Sequence, residues 1–476
     1  MATELLKAAR ELIALDTSGP SGGSLAIPYF MDLLYYGEFS IMEQAACTEE
    51  GNHTNLIGLK GPRENGGLLL VSPVRSEPPG NPAAWTETGG APLHATTRHG
   101  RLYGLGALSG KLDLLCKVIA ATQTPRAALK RPLWVAALFG GEAAAQRGGA
   151  YMLESGLLHP DAVLLGHPTN LELVREHRGH LVFRLNIRRA KNIWRLPRTE
   201  GSYRVRFSGS PAHGSAPHLG SNAVQAGLSW LSRIAAEGLA TIHNVQGGDS
   251  PNRVPERLDA VLLLTGSALP EPPPGVSLVP VDEDEADISY PVNDCLNIAR
   301  MLCRRVEALL GSPPCFDAPD GASWPRGLWN LGVVRTSPAG LSLTYELRTT
   351  LDHDAETLLS RIEELCVAAG DATKQHTVEL EVVKDQPPLN AVGDAGDQPL
   401  FGLCREALRE VGVTPTDGES DIHTEGWLFS AWGLDTVVFG PGYAAGVLSR
   451  PNEHVSLLHL QKAVQFYERV IQKFCC

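Results

Sequence analysis

The stretch Gly209 to Val224, GSPAHGSAPHLGSNAV, constrains the fold more than any other part of this chain. Before it, YRVRFSG (Tyr203 to Gly209) alternates large and polar residues with period two, the pattern of a half-buried strand. After it, AVQAGLSWLSRIA is an apolar run that Ser221 or Asn222 can cap as a helix. The segment between is rich in Gly, Pro and Ser, so a strand delivers His213 to a loop that opens a helix. A histidine so placed most often only hydrogen-bonds its own loop. The rest of the chain gives it a second meaning.

At 476 residues the chain exceeds one ordinary core and predicts two domains. Its net charge of -12, with no basic run, argues against nucleic acid or an anionic membrane as the main partner and leaves small molecules and proteins. No apolar segment approaches the ~20 residues of a membrane span. Near the N-terminus Leu5, Leu6, Ala9, Leu12 and Ile13 fall at helical spacing without the features of a signal peptide, which predicts a folded surface helix. Nine cysteines, scattered and without CxxC, fit reduced thiols and a cytoplasmic setting better than a disulfide framework or a cysteine metal site. Cys475 and Cys476, adjacent at the end, are expected to fray.

LLLVS (Leu68 to Ser72), LWVAALF (Leu133 to Phe139) and AVLLG (Ala162 to Gly166) are short continuous apolar runs, read as strands buried on both faces, with helical stretches such as KLDLLCKVIAAT between them. This predicts a layered α/β domain with a mixed, mostly parallel sheet. From Gly179 the pattern turns to alternating strands (HLVFRLNIR, YRVRFSG, LDAVLLL, LSLTYELR) with helices at Asn222 to Glu237 and Asn293 to Leu310, an α+β domain. Around residues 268–291 a Pro-rich, acidic stretch reads as an exposed loop. After QPPLN (Gln386 to Asn390) the α/β pattern resumes. The expected organisation is a discontinuous domain, 1–178 and 386–476, interrupted by an inserted domain, 179–385.

Taken in order, LYGLGALSGK, GHPTN, REHRG, AHGSAPHLGSNAV, SPNRVPERLDA, YELR, VVFGPG and RPNEHVSL resemble the zinc-dependent metallopeptidase family of aminoacylases, acetylornithine deacetylases, succinyl-diaminopimelate desuccinylases and glutamate carboxypeptidases. The resemblance implies an inserted lid and dimerisation domain, and two zinc ions that activate a water and polarise an amide carbonyl while a Glu moves the proton. It also implies where the ligands should stand, and most are missing. In SPVRSEP, Pro73 occupies the first ligand position and Arg75 that of its orienting carboxylate; in GLGALSGKL, Ser109 replaces the bridging Asp. FGGEAAAQRGGA places Glu142 as general base and Ala143 as ligand, GHPT puts His167 at the fourth position, and LSRPNE puts Ser449 at the fifth. Only His167 can coordinate, so no metal cofactor is expected. Ligands recruited from Glu77, Asp113, Glu142, Asp421, His423 or His454 would be the way to keep one.

Other features survive. His213 matches the histidine that, in the family, reaches across a dimer to stabilise an oxyanion. Asn252 and Arg348 match residues that bind a substrate carboxylate, and Gly442 of the GPG turn, Gly440 to Gly442, matches a backbone lining of the same cleft. The expectation is a homodimeric pseudoenzyme that binds a carboxylate-bearing small molecule. The competing expectation is an amidohydrolase or deacylase with displaced ligands and Glu142 as its base.

Overall fold

The computed structural model describes residues 2–19, 22–48, 51–76, 78–139, 147–190, 202–212, 214, 217–266, 271–273, 275–281, 290–311, 328–349, 355–390, 399–420, 423–443 and 451–476. Glu77, Glu142, Ala143, His213, Asp421 and Ser449 therefore lie outside the described residues. The chain forms two compact units, Met1–His177 with Leu389–Cys476, and Arg178–Pro388.

In the first unit the apolar runs form the centre of an eight-stranded sheet, ordered Ser40–Thr48, Gly51–Lys60, Leu133–Leu138, Leu68–Pro73, Ala162–Gly166, Asp435–Phe439, Leu173–His177 and Asp417–Ser420. Leu133–Leu138, Leu68–Pro73, Ala162–Gly166 and Asp435–Phe439 run parallel, so their C-terminal ends share one edge. The strands beyond them are joined antiparallel on either side. Successive residues serve opposite faces: Leu68 and Leu70 pack with one core cluster, Leu69 and Val71 with another. That two-sided burial is why these strands read as unbroken apolar runs, each fully buried Leu or Val contributing roughly 1.5–3 kcal/mol.

Ala2–Ala14, Ile27–Tyr36, Gly110–Gln123, Pro399–Glu410 and Leu457–Cys475 supply the helical side chains of the first cluster, and Arg147–Glu154 and Gly426–Ala431 those of the second. The N-terminal helix buries Leu5, Ala9, Leu12 and Ile13, as its spacing predicts. The chain end does not fray. Cys475 closes the last helix, is buried, and its carbonyl accepts from Lys130 and Arg131 N–H groups, because that helix packs its apolar stripe along the sheet to its final residue. The eight described cysteines are free thiols.

The second unit is an eight-stranded antiparallel sheet ordered Val276–Pro280, Ser202–Ser208, Arg257–Leu264, Ala240–Gly247, Leu328–Ser337, Gly340–Thr349, Gly179–Arg189 and His376–Gln386. Ala223–Ala236, Asn293–Leu310 and Ala355–Thr373 pack on one face, against inward residues such as Val205, Leu258, Leu343 and Phe183. Part of the stretch expected as an exposed loop is a strand: VSLVP, Val276–Pro280, pairs antiparallel with Ser202–Ser208 from Val276↔Phe207 to Pro280↔Tyr203. Its backbone thereby satisfies an edge that would otherwise be open. No described helix is long and apolar enough to cross a membrane.

His243, on Ala240–Gly247, is buried with neither ring nitrogen bonded among the described residues, and burial lowers its pKa. Burial likewise lowers those of His180 and His459. The folded state thus favours neutral imidazole, whereas an unfolded histidine takes up a proton near pH ~6.5. Below that value the unfolded chain binds more protons, so stability present above it is lost as pH falls. Urea midpoints should drop between pH 7.5 and 5, and His243→Phe should flatten the dependence; an unchanged slope in that variant would exclude His243 as a source.

Candidate functional site

Two places gather the residues singled out by the sequence, one within each unit. In the first unit the C-terminal edge of the parallel strands brings Pro73, Ser109, His167 and the Gly440–Gly442 turn together. Helix Gly110–Gln123 starts so close to the strand end that a Cβ on Gly110 would lie 2.0 Å from the Pro73 carbonyl oxygen. Ser109, the residue before it, uses its hydroxyl to donate to the Gly106 carbonyl at 2.9 Å. The His167 N–H donates to the Phe439 carbonyl, which sets the two strand ends side by side. Gly440 lies against the His167 carbonyl, and Gly442, at φ 92°, packs on Leu108, where a Cβ would come within 2.5 Å of Cδ2. Only glycine adopts that conformation there without strain.

Beneath this edge lies a closed polar network. Asp113 accepts from the Ser72 hydroxyl at 2.7 Å and the Tyr467 hydroxyl at 2.5 Å, and forms an ion pair with Lys117 Nζ at 2.8 Å. Lys117 also donates to the carbonyls of Val71 and Leu164, at 2.9 and 3.1 Å, and its side chain is 0% exposed. Desolvation lowers the Lys117 pKa, against the pull of Asp113, and pushes the Tyr467 hydroxyl well up. Nearly two turns earlier, Lys111 donates to the Leu15 carbonyl and toward Thr17 Oγ1, whose partner is Ser76 Oγ at 2.8 Å. Burial brings the Lys111 pKa down to about 8, with Glu453 and Asp16 opposing that shift.

These donors do not fit a dinuclear zinc centre. Pro73 and Ala143 offer no coordinating side-chain atom, Ser109 and Ser449 offer neutral hydroxyls, and Asp113, one of the recruits, is consumed by Lys117, Tyr467 and Ser72. A stable site takes three or four good ligands. Of the other recruits, Glu77, Glu142 and Asp421 lie outside the described residues, His454 Nδ1 contacts the Asn452 carbonyl while its ring packs on Tyr103, and His423 packs edge-on against His177. Among the described residues one group has metal-ligand spacing, Asp294, Cys295 and His376 in the second unit. Arg189 bonds both Asp294 oxygens at 2.8 Å there, and burial holds the Cys295 thiol up near 12, so the site carries a resident cation and a protonated sulfur.

In the second unit the signature loop is braided with the loop carrying Asn252. Asn222 caps helix Ala223–Ala236 by accepting from the Val224 and Gln225 N–H groups, and donates to Asn330 Oδ1 at 3.0 Å. Asn330 in turn donates to the carbonyls of Pro251 and Arg253, fixing the loop between them. Gly214 N–H donates to the Asn252 carbonyl at 2.7 Å, and Val254 N–H to that of Ala212 at 2.9 Å. The neighbours of His213 are thus tied to Asn252 by the backbone. The Asn252 side chain accepts from Ser250 Oγ.

Gly214 also abuts Glu346, whose Oε2 would lie 1.9 Å from a Cβ there. The other oxygen, Oε1, meets Arg348 Nη2 at 2.7 Å and His180 Nε2 at 3.0 Å. Glu346 is 1% exposed and Arg348 5%. Arg348 Nε is buried without an acceptor among the described residues. His180 is held toward its neutral form by desolvation and by Arg348, with Glu346 opposing. Reading the sequence for its ligand positions passed over Glu346 and Lys117, although both have a signal: Glu346 shares a strand face with Arg348 at i,i+2, and Lys117 follows Asp113 at i,i+4 in a mostly apolar helix.

Residues 78–473 match the model of peptidase family M20/M25/M40. An acetylornithine deacetylase of Klebsiella pneumoniae is 29% identical over 240 residues, which are 49% of this chain and 52% of that protein, so the chain spans about half the length of this relative. Among solved structures, an aminoacylhistidine dipeptidase of Vibrio alginolyticus superposes with a TM-score of 0.60 at 15% identity, covering 98% of this chain and 96% of that one. An M20 family metallo-carboxypeptidase of Sulfolobus solfataricus gives 0.60 at 15%, covering 98% of each. At such identities the structures establish the fold alone. The family match extends over most of the chain, and this protein therefore belongs to peptidase family M20/M25/M40.

Proposed function

We propose that this chain is a non-catalytic member of its family, in which the dinuclear zinc centre has degenerated and a carboxylate-bearing small molecule, an N-acyl amino acid or peptide, is bound rather than hydrolysed. The fate of Asp113 carries the reading. It stands one helical turn after Ser109, the residue at the lost bridging position, and it is neutralised by a fully buried lysine. Binding is supported in the second unit by Arg348, whose buried Nε has no acceptor among the described residues, a donor suited to a ligand oxygen. The N-acyl class is supported by the named activity of the Klebsiella pneumoniae relative. A homodimer through the inserted unit, with His213 and Asn252 serving a shared site, is part of the same reading.

The test uses the full chain. After incubation with zinc and dialysis, elemental analysis should find well under one zinc per chain, and a panel of N-acyl amino acids and dipeptides should show no turnover. N-acetyl amino acids should raise Tm by several degrees in the wild type and not in Arg348→Met. One or two retained zinc ions with chelator-sensitive hydrolysis would overturn the proposal in favour of an amidohydrolase with displaced ligands. An identical Tm rise in Arg348→Met would remove the carboxylate site.

A further inference from the structure

The sheet of the second unit carries its helices on one face, and the other face holds a cavity that the family comparison does not assign. In register across four adjacent strands stand Arg206, Asp259, Gln246 and Arg335. The next row holds Ser208 and Arg257, and then Gly248, whose N–H bonds the Arg257 carbonyl. Gly209, Gly247 and Gly248 leave a depression between the arginines, a cavity of about 600 Å³ completed by the loop at Arg253. A volume of this order suits a small ligand.

Four guanidinium groups and three carboxylates, Asp249, Glu256 and Asp259, line the space. Their pairing leaves the positive charge in excess. Arg206 and Arg257 share the single carboxylate of Asp259, each through its Nε, the first at 2.8 Å. Their terminal NH2 groups have no acceptor among the described residues. Arg335 pairs with no acid among the described residues. It is clamped by the carbonyls of Gly247, Gly248 and Val334, with Gly248 at φ 69° and too close to the Gly332 carbonyl to bear a Cβ. Carbonyl dipoles orient a guanidinium and hold its charge in place without cancelling it. A rigid cation above a glycine floor, flanked by two further forks, is the arrangement that recognises an oxyanion through paired N–H donors.

We infer that this cavity is an oxyanion-binding site, taking a phosphate-bearing or carboxylate-bearing small molecule at Arg206, Arg257 and Arg335. It is separate from Arg348. Arg335 pairs with Ser342 and Leu328 with Arg348, so the two sites lie six residues apart along one strand, about 20 Å at ~3.3 Å per residue. The inference therefore stands independently of the proposed function.

Inorganic phosphate and succinate are titrated separately into the full chain at constant ionic strength, with sodium chloride as control, and Tm and heat of binding are read. A saturable rise in Tm of several degrees is expected with at least one of them, and which one acts identifies the oxyanion as tetrahedral or planar. The response should vanish in Arg335→Met and in Arg206→Gln/Arg257→Gln, and persist in Arg348→Met. The Arg206 and Arg257 side chains are 42% and 55% exposed, so that double variant keeps the fold even if Arg335→Met does not. No saturable response beyond the chloride control, or an equal response in the double variant, overturns the site. A succinate response lost only in Arg348→Met overturns it too, while leaving the carboxylate site of the proposed function intact.

Discussion

Lys117→Met is expected to lower the free energy of unfolding by ~3–5 kcal/mol, the usual cost of leaving one member of a buried ion pair without its partner. The substitution keeps much of the volume of the side chain and removes its charge. Asp113 would then keep hydroxyl donors from Ser72 and Tyr467 and lose the cation beside it, and the carbonyls of Val71 and Leu164 would lose a donor. For a chain with ordinary stability that loss is a large fraction of the total. Chemical denaturation measures it, and the double variant Lys117→Met/Asp113→Leu supplies the control, because replacing both charges with apolar groups should restore most of the loss. A single variant as stable as the wild type would mean that Asp113 is not ionised in the folded state. Asp113 would then be open to metal, and the argument against a zinc centre would lose its support.

Glu346→Gln should have the second large effect, with opposite signs on stability and binding. Glu346 is the counter-charge of Arg348 and contacts His180 through the same oxygen. Without it a nearly buried guanidinium has no anion, and unfolding should become easier by ~3 kcal/mol. The same uncompensated charge should attract an external carboxylate more strongly. An N-acetyl amino acid should therefore bind about tenfold tighter, equivalent to ~1.4 kcal/mol, and raise the Tm of the variant more than that of the wild type. A variant that loses stability without gaining affinity would show that Arg348 serves the fold alone, as the counter-charge of Glu346 on its own strand.

Much of the architecture was legible before any coordinates. The runs at Leu68, Leu133 and Ala162 could only be strands buried on both faces, since water on either side would have imposed alternation. Ser221 or Asn222 could be named as the helix cap because the apolar period begins directly after them, and the structure gives Asn222, whose side chain accepts the two N–H groups a cap should. The strand at Val276–Pro280 was hidden, because five residues within Pro-rich and acidic sequence carry little local signal and owe their form to an edge supplied by Ser202–Ser208. The burial of Cys475 was hidden for a related reason: fraying is a statement about an isolated helix end, and this one is docked.

By itself the sequence determined the family, because that is written in residue types ordered along the chain, and it put Pro73, Ser109, Ala143 and Ser449 where the resemblance implies metal ligands. Only the tertiary structure decided what the remaining charged groups do. Asp113 could have served a metal or a lysine, and Arg348 a ligand or a neighbouring acid, until folding set Lys117 and Glu346 within 3 Å of them. Electrostatic partnership depends on distance and on the exclusion of water, and both are properties of the packed molecule.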